Sequence, residues 1–128
     1  MKSNYINTEK EEVRTYLKLN KELAYKTIVT STGNAYIAAI VLLEELIFQY
    51  KLITSSQGVI TSELPDGWFV NYPKLKQKIN YNYSVVRDTL KILEKKHHLI
   101  NRKRFFGGRG SSTKIYFNLE NIKNFLKE

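Results

Sequence analysis

Residues 80–100 read NYNYSVVRDTLKILEKKHHLI, and the spacing of apolar residues in this stretch decides the fold. Val86, Leu90 and Leu93 recur at steps of four and three, with Ile92 beside them. That is the period of an amphipathic helix, and it predicts a helix over 83–97. With the stripe turned inward, Tyr83, Ser84, Arg87, Asp88 and Lys91 face outward. Upstream, Asn71 is a candidate N-cap, Pro73 is tolerated in a first turn, and Leu75 and Ile79 lie four apart. Asn80-Tyr81-Asn82 separates the two periodic runs, and asparagine accepts turn and left-handed backbone. Two short helices joined by a tight turn over 71–98 give the outline of a helix-turn-helix, an outline that ordinary αα-hairpins share.

Downstream, Ile115, Phe117 and Leu119 alternate with Lys114, Tyr116 and Asn118, the pattern of a half-buried strand. Together with the run from Leu99 to Phe106 it brackets Gly107-Gly108-Arg109-Gly110-Ser111-Ser112, which predicts a β-hairpin. Three of the chain's six glycines fall in this turn. The loop lacks the G-x-x-x-x-G-K-[ST] spacing and joins strand to strand, so no NTPase is expected. Arg102, Lys103, Arg104, Arg109 and Lys114 lie between Leu99 and Leu119 with no acid among them.

A helix pair followed directly by a basic hairpin resembles a winged helix-turn-helix DNA-binding domain. Residues 86–100 are similar to the family's habit of an amphipathic recognition helix with a leucine stripe that ends in Gly-Leu-Ile before the hairpin, or wing. His98 stands where the family has glycine, and histidine visits the left-handed region more readily than most residues. A helix, then Asp66-Gly67-Trp68-Phe69, then the helix pair and wing also resembles the N-terminal domains of replisome organisers and replication initiators from phages and plasmids of Gram-positive bacteria. The resemblance implies an α+β, mostly α, winged-helix fold with an N-terminal helical extension. The arm would span 1–33 and the winged-helix domain 34–128, with the helix-turn-helix at 71–98, the wing at 99–119 and a C-terminal helix at 120–128.

The function so implied is sequence-specific binding of double-stranded DNA without catalysis. Asn82, Tyr83, Ser84, Arg87 and Lys91 would present the recognition helix to base edges, where arginine reads guanine bidentately. Arg102, Lys103, Arg104, Arg109, Ser111 and Lys114 would form the wing contacts, and Lys74, Lys76 and Lys78 would meet phosphates. An origin-binding replication component of a phage or plasmid is the leading role. A transcriptional repressor, a partition or DNA-transfer accessory protein, and a module that docks a protein are the alternatives.

Charge agrees with a polyanionic partner. The net charge is +9. Residues 1–65 hold seven basic and seven acidic side chains, whereas 66–128 hold fourteen and five, so the whole excess lies in the second half. Exposed rings on the hairpin would also suit single-stranded nucleic acid, but Phe105, Phe106, Tyr116 and Phe117 at alternating strand positions are more often core or strand-pair residues. The two histidines, His97 and His98, are adjacent, cysteine is absent, and carboxylates are few nearby, so no metal, cofactor or small-molecule substrate is expected. No run approaches the roughly 20 apolar residues of a membrane helix, and the cytoplasm is the expected location.

The first half carries weaker signals. Thr8 to Glu11 fits a capping box, Leu17 and Leu19 flank a brief strand, Asn20 caps a helix carrying Leu23 and Ile28, and 30–34 is a polar break. A helix over 34–51 is apolar on every face from Ala35 to Leu43, which serves either a central core helix or part of a homodimer interface. Pro65-Asp66-Gly67 between 59–63 and 68–70 predicts a hairpin turn, with glycine at positive φ.

Overall fold

The computed structural model describes residues 18–53, 67–107 and 110–127. The elements run β1 (Lys18–Leu19), α1 (Lys21–Thr27), α2 (Ile37–Ile53), β2 (Trp68–Val70), α3 (Tyr72–Ile79), α4 (Tyr83–Lys95), β3 (Ile100–Gly107), β4 (Gly110–Phe117), α5 (Leu119–Ile122), a 3-10 turn (Lys123–Phe125) and β5 (Leu126–Lys127). The fold is α+β. Its larger sheet is antiparallel in the order β2-β4-β3, and a second, two-stranded sheet joins β1 to β5.

Four helices begin on asparagine. Asn20, Asn71, Asn82 and Asn118 each accept a bond on Oδ1 from a backbone N–H three residues on, satisfying one of the donors that a helix start leaves orphaned. Left-handed backbone then ends the two helices of the expected pair. Asn80 closes α3 at φ +60, its N–H reaching the Lys76 carbonyl. After α4, His98 adopts φ +53, and Leu99 turns back so that its N–H donates to the Leu93 carbonyl at 2.9 Å. Leu99 is fully buried by that reversal, and Asn121 Nδ2 donates to the His98 carbonyl at 2.8 Å.

One hydrophobic cluster unites the described residues. α2 supplies Ala39, Ile40, Leu42, Leu43, Leu46, Ile47 and Tyr50, and α4 packs on it through Val86, Leu90 and Leu93. Leu75 and Ile79 of α3 join from one side, and Ile100, Ile115 and Phe117 of the sheet from another. The apolar run of α2 is therefore largely core. Ile37, Phe48 and Leu52 nevertheless stay exposed and Val41 half-buried, at helical spacing along one line. Tyr50, Trp68 and Phe117 stack edge-on or tilted, with ring centroids 5.2–5.5 Å apart. The indole N–H of Trp68 donates to Gln49 Oε1 at 2.9 Å, which satisfies the polar atom of a buried ring.

Two sequence readings change. The expected C-terminal helix over 120–128 is a single helical turn that tightens to 3-10 and then extends, because Leu126 pairs with Leu19 and the chain is committed to a strand. The helix read over 83–97 ends at Lys95, where the His98 reversal begins. Trp68–Val70 has its described strand partner in β4, with Trp68 opposite Ile115 and Val70 opposite Thr113. Gly67 has φ +58, as the turn signal required, and a Cβ there would collide with the Ile115 carbonyl and the Tyr116 ring. The capping box at 8–11, the strand at 59–63 and the turn residues Gly108 and Arg109 lie outside the described residues.

Histidine at a left-handed position sets up an opposed pair of effects. The conformation costs a β-carbon about 1–2 kcal/mol, while glycine's extra chain entropy costs about 0.5–1 kcal/mol. His98→Gly is expected to stabilise the fold by about 0.5 kcal/mol in a urea or thermal melt; destabilisation would mean that the His98 side chain carries a contact worth more than the strain.

Candidate nucleic-acid interface

The site is built outward from α4. Its buried stripe is Val86, Thr89, Leu90 and Leu93, and Tyr83, Ser84, Arg87, Asp88 and Lys91 are all exposed on the other side. Thr89, polar and fully buried, satisfies itself by donating its hydroxyl to the Val85 carbonyl at 2.7 Å, with Val86 at 3.1 Å. Asn82 sits at the N-cap with its carbonyl oxygen engaged on Val85 N–H at 3.0 Å. In α3, Lys74 and Lys78 are exposed, and the half-buried Lys76 places its ammonium 5.7 Å from the centre of the Tyr83 ring. That contact sets Lys76 on the Tyr83 side of α4.

Glu94 lies about two turns beyond Arg87, on the same line of the helix. Its Oε2 accepts the Arg102 backbone N–H at 3.0 Å, and its Oε1 accepts Arg102 Nε–H at 2.9 Å. With the two side chains only 13% and 25% exposed, this is a largely desolvated ion pair that clamps β3 to α4. Burial alone would raise the Glu94 carboxyl. The backbone and side-chain bonds from Arg102, its charge and the charge of Lys95 outweigh that, holding it below its ordinary 4.5. His97, next to the helix end, keeps Nε2 buried without a hydrogen-bond partner among the described residues. Burial, then the charges of Lys96 and His98, push its imidazole below the ordinary 6.5.

The hairpin splits the six residues expected of a wing. Arg102 is turned to the core side, opposite Ile115, and committed to Glu94. The alternation of the strand foretold this, because Arg102 is two residues from the buried Ile100. Arg104 has the same parity, lies opposite Thr113 and is exposed. It lines a cleft of about 490 Å³ with Ser112 across from Asn71 and Pro73 at the start of α3. Lys103 and Lys114 form a cross-strand pair of the opposite parity and so project from the face of the sheet turned away from α4. Ser111 occupies β4 opposite Phe106, and Arg109 lies outside the described residues.

Sequence reasoning missed the destination of the rings. Phe117 is core, but Phe69 and Phe105 are exposed and Tyr116 is half-buried, all on the outward parity with Lys103 and Lys114. No cluster of three or more metal-ligating side chains occurs among the described residues, and no helix among them is long and apolar enough to cross a membrane. No family model, curated protein or solved structure matches the chain.

The clasp has a measurable signature. Arg102→Ala removes the guanidinium bond and charge from a buried carboxylate while keeping the backbone bond, and is expected to cost about 2 kcal/mol of folding stability. Lys103→Ala and Lys114→Ala should each stay within about 0.5 kcal/mol of wild type. Since the folded Glu94 carboxyl titrates below 4.5, its contribution is complete above that pH and fades as pH falls through the lower folded value. Melts of wild type and Glu94→Gln should therefore converge in acid. His97 titrates below 6.5 when folded, so the loss it causes begins as pH drops under 6.5, and His97→Phe should remove that earlier phase.

Proposed function

We propose that the chain is a winged helix-turn-helix protein that binds double-stranded DNA sequence-specifically and performs no catalysis. The observation that carries the reading is the exposed face of α4, Tyr83, Ser84, Arg87, Asp88 and Lys91, with a basic hairpin clamped beside its C-terminal end through Glu94 and Arg102. In this reading α4 enters the major groove N-terminus first. Arg87 contacts guanine, Tyr83, Ser84 and Lys91 flank it, and Asn82 keeps the end of the helix formed. Lys74, Lys76 and Lys78 meet phosphates on one side, and Arg104, with the tip residue Arg109, meets the backbone or the minor groove on the other. Arg102 is left out of the contact set, because its guanidinium is engaged by Glu94.

The role that fits is origin binding in the replication of a phage or plasmid. A repressor would use the same surface, and the arrangement of sites separates the two. Fragments selected from the source genome would cluster as repeats in one region for an origin-binding protein and overlap promoters for a repressor. A homodimer is the second part of the proposal, on the line of α2 that holds exposed Ile37, Phe48 and Leu52 and half-buried Val41, with Glu44 and its Lys21 bridge at its middle. Sedimentation at micromolar concentration should then show a dimer that Phe48→Glu dissociates; a wild-type monomer, free and on DNA, removes this part.

Duplex binding through several phosphates should weaken steeply between low and moderate salt, by about 0.9 log unit per log unit of salt for each phosphate neutralised. Arg87→Ala is expected to cost about 1–3 kcal/mol on the preferred site and to relax its sequence preference. Equal weakening on every sequence would make Arg87 a phosphate contact, and undetectable binding to any duplex at low salt would falsify the reading.

A further inference from the structure

The sheet has a second face, which the duplex reading does not use. On the inward parity Trp68, Ile100, Ile115 and Phe117 build the core. On the outward parity, Phe69 of β2, Lys114 of β4 and Lys103 of β3 stand in one row across the three strands. Phe105 and Tyr116 flank that row, opposite Ser112 and Asn101. Phe69 is 56% exposed and Phe105 39%, large values for phenylalanine when a core lies beneath the same strands. Their ring centres are 5.7 Å apart, edge to face. Tyr116 lies close over Gly67, whose missing Cβ leaves room for the ring.

The cations on this face are interleaved with the rings. Lys114 Nζ is 5.3 Å from the centre of Phe69 and 5.8 Å from that of Tyr116, and Lys103 Nζ is 5.5 Å from that of Phe105. No carboxylate is found among the outward residues of β2, β3 and β4. Phe69 also lines the cleft that holds Arg104. Two rings in edge-to-face contact, a third beside them and ammonium groups over the rings suit an unpaired strand, whose bases present flat π-faces and whose phosphates follow at regular intervals. Duplex DNA offers neither free base face, since its bases are stacked on each other. An apolar protein partner would not need two lysines at the centre of the patch, because interface cores are depleted of lysine.

We infer that the outward face of the β2-β4-β3 sheet binds single-stranded DNA, with bases stacked on Phe69, Phe105 and Tyr116 and phosphates drawn to Lys103, Lys114 and, through the adjoining cleft, Arg104. In the unbound protein the lysines lie near the ring faces. A phosphate competes for each ammonium, so the lysines swing aside and bare the rings as the strand arrives. Such binding tolerates any sequence, because every base has a π-face. It is independent of α4, which lies across the sheet.

The test is fluorescence anisotropy of a labelled oligothymidine of about a dozen nucleotides, a length within the range of single-strand sites, titrated with the full chain. Phe69→Leu, Phe105→Leu and Tyr116→Leu keep apolar bulk but remove the ring, and each should weaken binding at least about fivefold. Phe69→Tyr should keep wild-type affinity. Circular dichroism melts confirm that the variants are folded, and a conservative ring variant that binds normally guards against a general defect. An abasic oligomer with the same number of phosphates should bind far more weakly than oligothymidine. Arg87→Ala should leave oligothymidine affinity unchanged whether or not it affects duplex binding, so this face and the α4 reading can fail separately. The inference is overturned if the leucine variants bind like wild type, if the abasic oligomer binds equally well, or if Arg87→Ala reduces single-strand affinity as much as the ring losses do. Tighter binding of oligouridine than of oligothymidine overturns the assignment to DNA.

Discussion

The carboxylate of Glu94 accepts two bonds from one residue of the neighbouring strand, the backbone N–H and the Nε–H of Arg102. A side-chain bond alone would leave the strand free to slide. The second bond, to the main chain, fixes β3 in position relative to α4. From there the antiparallel register carries the constraint outward. β4 is set by β3 from Ile100–Phe117 through Gly107–Gly110, and β2 is set by β4. Desolvating a carboxylate and a guanidinium is costly unless both are paired, so the clasp holds this orientation or the hairpin separates from the helix. Every exposed group on the hairpin takes its side of the molecule from that choice.

Parity then decides what each hairpin residue can do. Ile100, Arg102 and Arg104 share one side of β3, while Asn101, Lys103 and Phe105 share the other. A cluster of basic residues that looks uniform as a string is thus divided. One arginine is bound to Glu94, another borders a cleft near α3, and two lysines stand beside aromatic rings on the far face. Only alternation separates them, so a one-residue slip of β3 would exchange these roles and turn Ile100 to solvent.

Much of the helical part was legible. The stripe of α4, the pair Leu75 and Ile79, the asparagine caps at 20 and 71, and the left-handed His98 follow from local rules that act over three or four residues. Long-range pairing was not legible. The β1–β5 ladder joins Leu19 to Leu126, and β2 pairs with the distant β4. No periodicity in either partner names the other, and so the C-terminal segment read as a helix. Arg102 and the outward rings were recoverable in principle. Once Ile100, Ile115 and Phe117 are taken as core, a period of two places Arg102 inward and Phe105 and Tyr116 outward. Composition argued the other way, since arginine reads as surface and aromatic residues read as core.

The two faces differ in one further respect, the position of carboxylates. Glu94 is neutralised by Arg102, but Asp88 is exposed on α4 beside Arg87 and enters no ion pair among the described residues. A surface that only rested on phosphates would be weakened by that charge, because like charges repel across a partly desolvated contact. At a base edge the same carboxylate is useful, since it can accept from the amino group of cytosine and reject a base that offers only acceptors. On the proposed reading, Asp88 therefore belongs with Arg87 at the bases, and its repulsion of phosphate helps keep α4 in the groove and off the backbone. The outer face of the sheet has lysines and rings without a carboxylate, so it has attraction but no means of rejection. A chain with both faces would select a sequence with the helix and hold an unpaired strand of any sequence with the sheet.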